Sequence, residues 1–360
     1  MTNPLHRDRL DAGALSLGCG ACPHLANCGG FMRNGGGWSC LDLCCNSPQD
    51  CDRVCPNRKA DFAFDHAEVG GFGTSDIGPL TTEASLDLPN YIPCLQGATG
   101  RRAPLTAPWV ALPLSLVCTR KDRGAYRFRY DSRAQMLGHL RLGLTTRVLL
   151  LCIGKDRHLE RYWKERLVAE VPAQLAQVGV DAAIAPNFSF FLDEPLTQHL
   201  HNRKRSLICA SEFATAGVPP VIYLHALSLG DWKLLGDILQ DRPDVRLVCK
   251  EFQTGGVQAD HSGKIRRVAE LEQRLGRSLH LVAVGGARFV PQLQKYLSSW
   301  TVIDSTPYMR TVKRRRASAG VRRLRWTSAK GASLDALLSH NIGQYEGWIS
   351  RLRRSATQVA

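Results

Sequence analysis

The chain has 360 residues, 44% of them hydrophobic, enough to bury one large domain and a smaller one. Forty-seven Lys and Arg against 32 Asp and Glu leave a net charge of +15, a clustered excess that suits a polyanionic partner, nucleic acid (DNA or RNA) above all; the plainer reading is a basic but ordinary enzyme. No run of about 18 apolar residues occurs, and the opening MTNPLHRDRLDAG lacks the order of a secretion signal; no membrane partner and a cytoplasmic location are expected.

The first element is a cysteine-rich module over residues 1–66. It reads Cys19-x2-Cys22-x5-Cys28, a Gly-rich stretch, then Cys40-x3-Cys44-Cys45-x5-Cys51-x3-Cys55-Pro56. Eight thiols make two four-cysteine metal sites, and a segment this small and Gly-rich needs metal–thiolate bonds to fold. Only Cys19 and Cys22 have the CxxC spacing of a zinc knuckle, and a Cys-Pro closes the run as in ferredoxin-type ligation. Iron–sulfur, as a 4Fe–4S cluster, is the leading expectation, with zinc the alternative and disulfides a third. A radical S-adenosylmethionine site would need a cysteine where Ser47 stands. The remaining cysteines, Cys94, Cys118, Cys152, Cys209 and Cys249, lie mostly in apolar runs and read as core packing.

Residues 67–104, rich in Gly, Pro, Thr and Ser, read as a linker arm. Beyond it, over 105–309, short apolar strands alternate with helical segments. Strands are expected at 111–118, 147–153, 181–186, 220–225, 246–252, 279–284 and 301–304, with a weaker one at 126–130. Helices are expected at 158–177, 196–216, 232–240, 264–275 and 290–298. This alternation predicts an α/β fold with a parallel sheet, open or closed; closure into a TIM-like (β/α) barrel is favoured because no glycine-rich first turn of a doubly wound sheet is present.

In such a barrel the polar residues at the C-terminal strand ends form the active face. The candidates are Asp131, Asn187 with Asp193 and Glu194, His225, Lys250 with Glu251, Gly285 and Gly286 followed by Arg288, and Asp304. Plainer roles compete at most of them: a helix cap for Asp131, a helix start for Asp193 and Glu194, a core histidine for His225, an ion pair for Glu251. Gly285 and Gly286 suit either a phosphate grip made of backbone N–H groups or a tight turn.

The last segment, 310–360, is a basic stretch and an amphipathic helix. No acid occurs between residues 305 and 334, whereas Arg310, Lys313, Arg314, Arg315, Arg316, Arg322, Arg323, Arg325 and Lys330 do, with Trp326 among them to stack on a base. Leu334, Leu337, Leu338, Ile342, Tyr345, Trp348, Ile349 and Leu352 then share one side of a helix over 333–354 that packs back on the barrel.

LHLVAVGGARFVPQLQKYLSSWTVIDSTPYMRTVKRR, residues 279–315, resembles the final strands of the tRNA-guanine transglycosylase superfamily, and its Asp304–Ser305 is similar to the strand end of that family's DNA-acting, 7-deazaguanine-inserting relatives. RYDSRAQM resembles the family's early Asp-Ser motif, and VDAAIAPNFSFFLDEPLTQHLHNRKR resembles both this superfamily and a phage- and mobile-element-associated domain of unknown function. The likeness covers about residues 125–316 and is one of order. It implies that Asp304 attacks the sugar carbon and that Asp131 is the general base; His225 stands in place of the family's base-contacting glutamine-glycine strand end and Asn187 near its guanine-reading Asp, while Glu251, Gly285, Gly286 and Arg288 are substrate-binding candidates from their places at the strand ends. The family's zinc ligands after the nucleophile have no counterpart, since no cysteine follows Cys249. A carboxylate nucleophile splits one hard substitution at the glycosidic carbon into two easier ones, and a second acid moves the protons. The expected function is therefore a base-exchange transglycosylase acting on nucleic acid. A noncatalytic, metal-cluster nucleic-acid-binding protein and a metal-cluster enzyme acting on a small phosphorylated substrate are the alternatives.

Overall fold

The computed structural model describes residues 59–357, apart from residues 85, 99, 121–125, 191–195, 228, 254–260 and 321–322. The cysteine module, with Cys19, Cys22, Cys28, Cys40, Cys44, Cys45, Cys51 and Cys55, lies outside the described residues, as do Asp193, Glu194 and Arg322. The chain folds as two compact units, one spanning 79–186, 210–223 and 244–360, the other the rest.

The larger unit is a parallel barrel. Its strands are β1 (Tyr91–Pro93), β2 (Trp109–Pro113), β5 (Arg147–Leu151), β6 (Ala182–Ile184), β7 (Pro220–Tyr223), β8 (Leu247–Glu251), β9 (His280–Val284) and β10 (Ser299–Asp304). They pair in parallel in the order β1-β10-β9-β8-β7-β6-β5-β2. A parallel bridge between Cys94 and Ala111, with Leu95 N–H donating to the Ala111 carbonyl at 3.0 Å, brings the two end strands together. Two short strands outside the barrel, β3 (Cys118–Arg120) and β4 (Tyr126–Phe128), pair antiparallel.

Side-chain alternation along the strands decides what fills the barrel. Ile92, Ala111, Leu149, Ile184, Val221, Cys249, Val282 and Ile303 form one buried cluster in the lumen. The β-branched and aliphatic runs that made these segments legible as strands supply this apolar part of the lumen. At the entrance to β9 and β10, His280 is held between the hydroxyls of Ser299 at 2.6 Å and Thr301 at 2.8 Å, and burial pushes its pKa down to about 4. All five described cysteines are buried, as core packing requires.

The helices are α1 (Lys59–Glu68), α2 (Leu114–Val117), α3 (Arg133–His139), α4 (Asp156–Glu165), α5 (Val171–Gln177), α6 (Leu196–Thr215), α7 (Leu229–Gln240), α8 (His261–Leu275), α9 (Val290–Tyr296), α10 (Thr306–Val312) and α11 (Leu334–Thr357). The single helix expected over 158–177 is two, because Glu170 adopts a left-handed conformation (φ 47°) ahead of Pro172. The strand expected over 111–118 ends at Pro113 and turns into α2. Part of the expected linker arm is β1, a barrel strand. The basic segment is ordered into a hairpin, β11 (Arg315–Ser318) with β12 (Arg325–Ser328). Leu337, Leu338, Tyr345 and Ile349 of α11 are buried along one side of that helix.

The smaller unit has a different interior. On α6, His199, His201, Asn202, Arg203, Lys204 and Arg205 are all buried. Arg203 donates to Asp231 at 2.7 Å and to the His225 carbonyl at 3.0 Å, and its guanidinium lies over the Phe190 ring. Lys204 meets Asp76 at 2.8 Å, and His201 meets Glu68 at 2.8 Å. Burial first, then the neighbouring Arg205, pushes the His201 pKa down.

Candidate functional site

Asp304 ends β10 and is buried. Ile303 faces the lumen, so Asp304, one residue on, faces the surrounding helices. Its Oδ1 accepts from the Thr306 N–H at 2.7 Å, in the first turn of α10, and its Oδ2 accepts from the Tyr345 hydroxyl of α11 at 2.7 Å. Burial and the adjacent carboxylate raise the Tyr345 pKa well above its ordinary value, so the phenol stays a donor. Burial, then the Asp304 charge, also pushes the Cys94 thiol up to about 12, and that sulfur is no nucleophile at neutral pH. The carboxylate thus ties the start of one helix to the flank of another.

Asp131 is exposed, and its backbone N–H is held by Gln135 of α3 at 2.6 Å. Arg133, two residues on, donates to the carbonyl of Thr146 at 2.8 Å and pairs with Asp181 at 3.0 Å. Thr146 and Asp181 stand just before β5 and β6, at the edge where strands begin, whereas Asp304 stands where they end. From β10 the wall runs through β1 and β2 before reaching β5. Asp131 and Asp304 thus stand on separate elements, each with its own contacts, to Gln135 for the one and to Thr306 and Tyr345 for the other. The sequence reveals a strand end but not which face its last side chain takes.

The other candidates scatter. Glu251 shares the lumen-facing parity of Cys249 and is buried at the end of β8; Lys250 lies 5.8 Å from the Tyr223 ring. Gly285 has φ +74°, and a Cβ there would collide with the Gln253 side chain. Its N–H donates to the Ile303 carbonyl at 2.7 Å. Gly285 thus makes a tight turn, and a Cβ added at Gly286 would meet the Ala283 Cβ at 2.9 Å. Arg288 is exposed, its guanidinium 4.7 Å from the Phe289 ring. Asn187 and His225 belong to the smaller unit, where the His225 ring lies 4.9 Å from Phe190.

The basic residues do come together. In the hairpin Arg316 pairs with Thr327 and Ser318 with Arg325, and all four are exposed on one face. The opposite face is anchored: the buried Asn341 side chain accepts from Ala317 N–H at 2.8 Å and donates to the Arg315 carbonyl at 2.9 Å and to Thr311 at 2.9 Å. Arg315 donates to the Trp326 carbonyl at 2.9 Å, and Arg314 to that of Ala332. Arg310 of α10 lies 5.5 Å from the Trp326 ring, and Arg310, Lys313, Arg323 and Lys330 are exposed. The arrangement is a cationic platform with one half-buried indole, Trp326.

No group of three or more metal-ligating side chains occurs among the described residues. Among them, too, no helix is long and apolar enough to cross a membrane.

The architecture is a mixed α/β, nearly closed parallel barrel of the TIM type. No family model matches the chain, and no curated protein matches it either. Among solved structures it is similar to a wild-type sialic acid aldolase of Ruminococcus gnavus, at 13% identity and a TM-score of 0.36, over 75% of this chain and 79% of the aldolase. A catalytic-lysine mutant of that aldolase is similar at 14% identity and a TM-score of 0.34, over 62% and 71%.

Proposed function

We propose that this chain is a nucleic-acid-binding protein that holds a strand against the basic platform of α10 and the β11–β12 hairpin, with the barrel as scaffold. The observation that carries the reading is the outward face of the hairpin, where Arg316 and Arg325 flank Ser318 and Thr327 in a segment with no acid from 305 to 334. Like charges this dense repel one another unless a polyanion neutralises them. Trp326, beside Arg310, offers an aromatic surface on which any base can stack, so strand binding without strong sequence preference is expected. The noncatalytic reading is preferred to base exchange because both carboxylate oxygens of Asp304 are engaged, one by the Thr306 N–H and the other by the Tyr345 hydroxyl. Within the same proposal the eight N-terminal cysteines hold an iron–sulfur cluster, or zinc, as a folding element; a coloured protein after anaerobic purification distinguishes the first from the second.

The test is fluorescence anisotropy with a labelled single-stranded oligonucleotide, as DNA and as RNA, across a salt series. Contact with five or more phosphates gives a log–log slope of about −3.5 or steeper, and removing Arg310, Arg316 and Arg325 together flattens it by about 2. Affinity that ignores salt, or that survives the triple replacement unchanged, sinks the reading.

A further inference from the structure

The two faces of the basic hairpin differ in chemistry, and the helix beside it exposes apolar groups that charge does not explain. Strand alternation turns Arg316, Ser318, Arg325 and Thr327 outward, all exposed and all polar. Ala317 and Trp326 are cross-strand neighbours on the other face, where Ala317 is buried and Trp326 keeps part of its surface open. On that side the Arg310 guanidinium lies 5.5 Å from the Trp326 ring. Helix α10 is itself two-sided. Pro307, Tyr308 and Thr311 are buried, and the Thr311 hydroxyl accepts from the Asn341 amide at 2.9 Å. Met309, Arg310 and Val312, with Lys313 at the C-cap, are exposed. Met309 and Val312, at i and i+3, are neighbours on the helix surface and leave 43% and 40% of their area open. Apolar area held in water costs free energy that a covering partner recovers.

We propose that the exposed side of α10 and the Trp326 ring take the unpaired bases of a single-stranded nucleic acid, while the outward face of the hairpin holds its phosphates. The proposal deepens the strand-binding reading above and rests on it. Charge names the occupant: Arg310 and Lys313 are interleaved with Met309 and Val312, so what covers the apolar pair must carry negative charge beside an apolar surface. A single strand meets both demands, with a base face and a phosphate on every nucleotide. A duplex meets one, because its base faces stay stacked inside and extruding them costs free energy. Met309, unbranched and polarizable, adapts to bases of different shape, and Arg310 adds a planar cation against the indole.

Fluorescence anisotropy of the full chain tests it, with a labelled single-stranded oligonucleotide, the same oligonucleotide paired with its complement, and vesicles of phosphatidylcholine with phosphatidylserine as competitor. The single strand should bind about tenfold or more tighter than the duplex at one salt concentration. Met309→Gln with Val312→Gln should lower single-strand affinity about three- to tenfold, and Trp326→Ala about five- to a hundredfold. Both should leave the salt slope in place, since no cation is removed, and duplex affinity should not follow. Met309 and Val312 are exposed, so that variant folds. Trp326→Phe keeps a stacking face where Trp326→Ala does not fold; it should retain most of the affinity and lose the quenching of tryptophan emission that the strand causes. Duplex binding equal to or tighter than single-strand binding, on a steep salt slope, overturns the base-contacting role and leaves the phosphate-binding reading standing. A flat slope for both sinks that reading and this one with it. Single-strand affinity indifferent to the Met309, Val312 and Trp326 replacements overturns the role as well. So does displacement of the strand by vesicles that depends on Met309 and Val312, which would assign the apolar pair to a lipid surface.

Discussion

The lumen of the barrel and the buried face of α6 are two interiors built from opposite materials. Val, Leu, Ile, Ala and Cys fill the first, and area removed from water holds it together. The second buries His199, His201, Arg203, Lys204 and Arg205, and it holds only where each charge meets a partner, as Arg203 meets Asp231. An apolar interior tolerates a lost group in proportion to its size. A charged interior does not, because removing one partner strands the other.

The largest expected effect breaks that second interior. Asp231→Ala leaves the Arg203 guanidinium buried without its carboxylate and removes the acceptor of the Leu227 N–H at 3.0 Å. Chemical denaturation should show a loss of about 3–5 kcal/mol. Replacing the pair together, Arg203→Met with Asp231→Leu, should recover most of it, and failure to do so would mean that the interior depends on charge rather than on filled volume.

In the barrel, Leu149→Ala removes a fully buried aliphatic side chain from the lumen. About 3 kcal/mol is expected by the same measurement, cavity cost included. A much smaller loss would show that β5 and its neighbours collapse onto the gap.

Acid sharpens the comparison. The folded-state pKa of His280 is pushed down to about 4, below the ordinary 6.5. The unfolded chain therefore binds a proton that the folded chain refuses, and the stability held at neutral pH is lost as pH falls from about 6.5 to about 4. Half-burial and nearby water reduce the effect to roughly 2 kcal/mol. His280→Gln should remove that slope, measured as the denaturation midpoint against pH. His201, also pushed down, contributes in the same sense from the other interior.

The barrel was legible because its strands are apolar runs of the right length between helical segments. β1 was not, since Tyr91–Pro93 is three residues in a Pro- and Gly-rich arm and its pairing is supplied by β10. The hairpin was hidden by its own arginines, which read as a nucleic-acid-binding basic stretch without secondary structure; the side chain of Asn341, 24 residues beyond Ala317, helps to hold it. At the site, the motif order around Asp304 was readable, but one step of strand parity turns its carboxylate from the lumen to Tyr345.

The smallest expected effect concerns a third placement of charge, exposed and unpaired. Arg316→Ala with Arg325→Ala removes two exposed cations from the outward face of the hairpin, in a segment dense in like charge. Surface replacements away from caps and networks leave stability nearly unchanged, and relief of repulsion acts in the stabilising direction. The unfolding midpoint at low salt should therefore stay level or rise slightly, while oligonucleotide affinity falls. That opposition would separate a binding surface from a structural one: loss of Arg203 from the smaller unit should destabilise the fold, whereas loss of the hairpin arginines should not. A drop in the midpoint for the double variant would place the hairpin arginines with Arg203, as parts of the fold's own support.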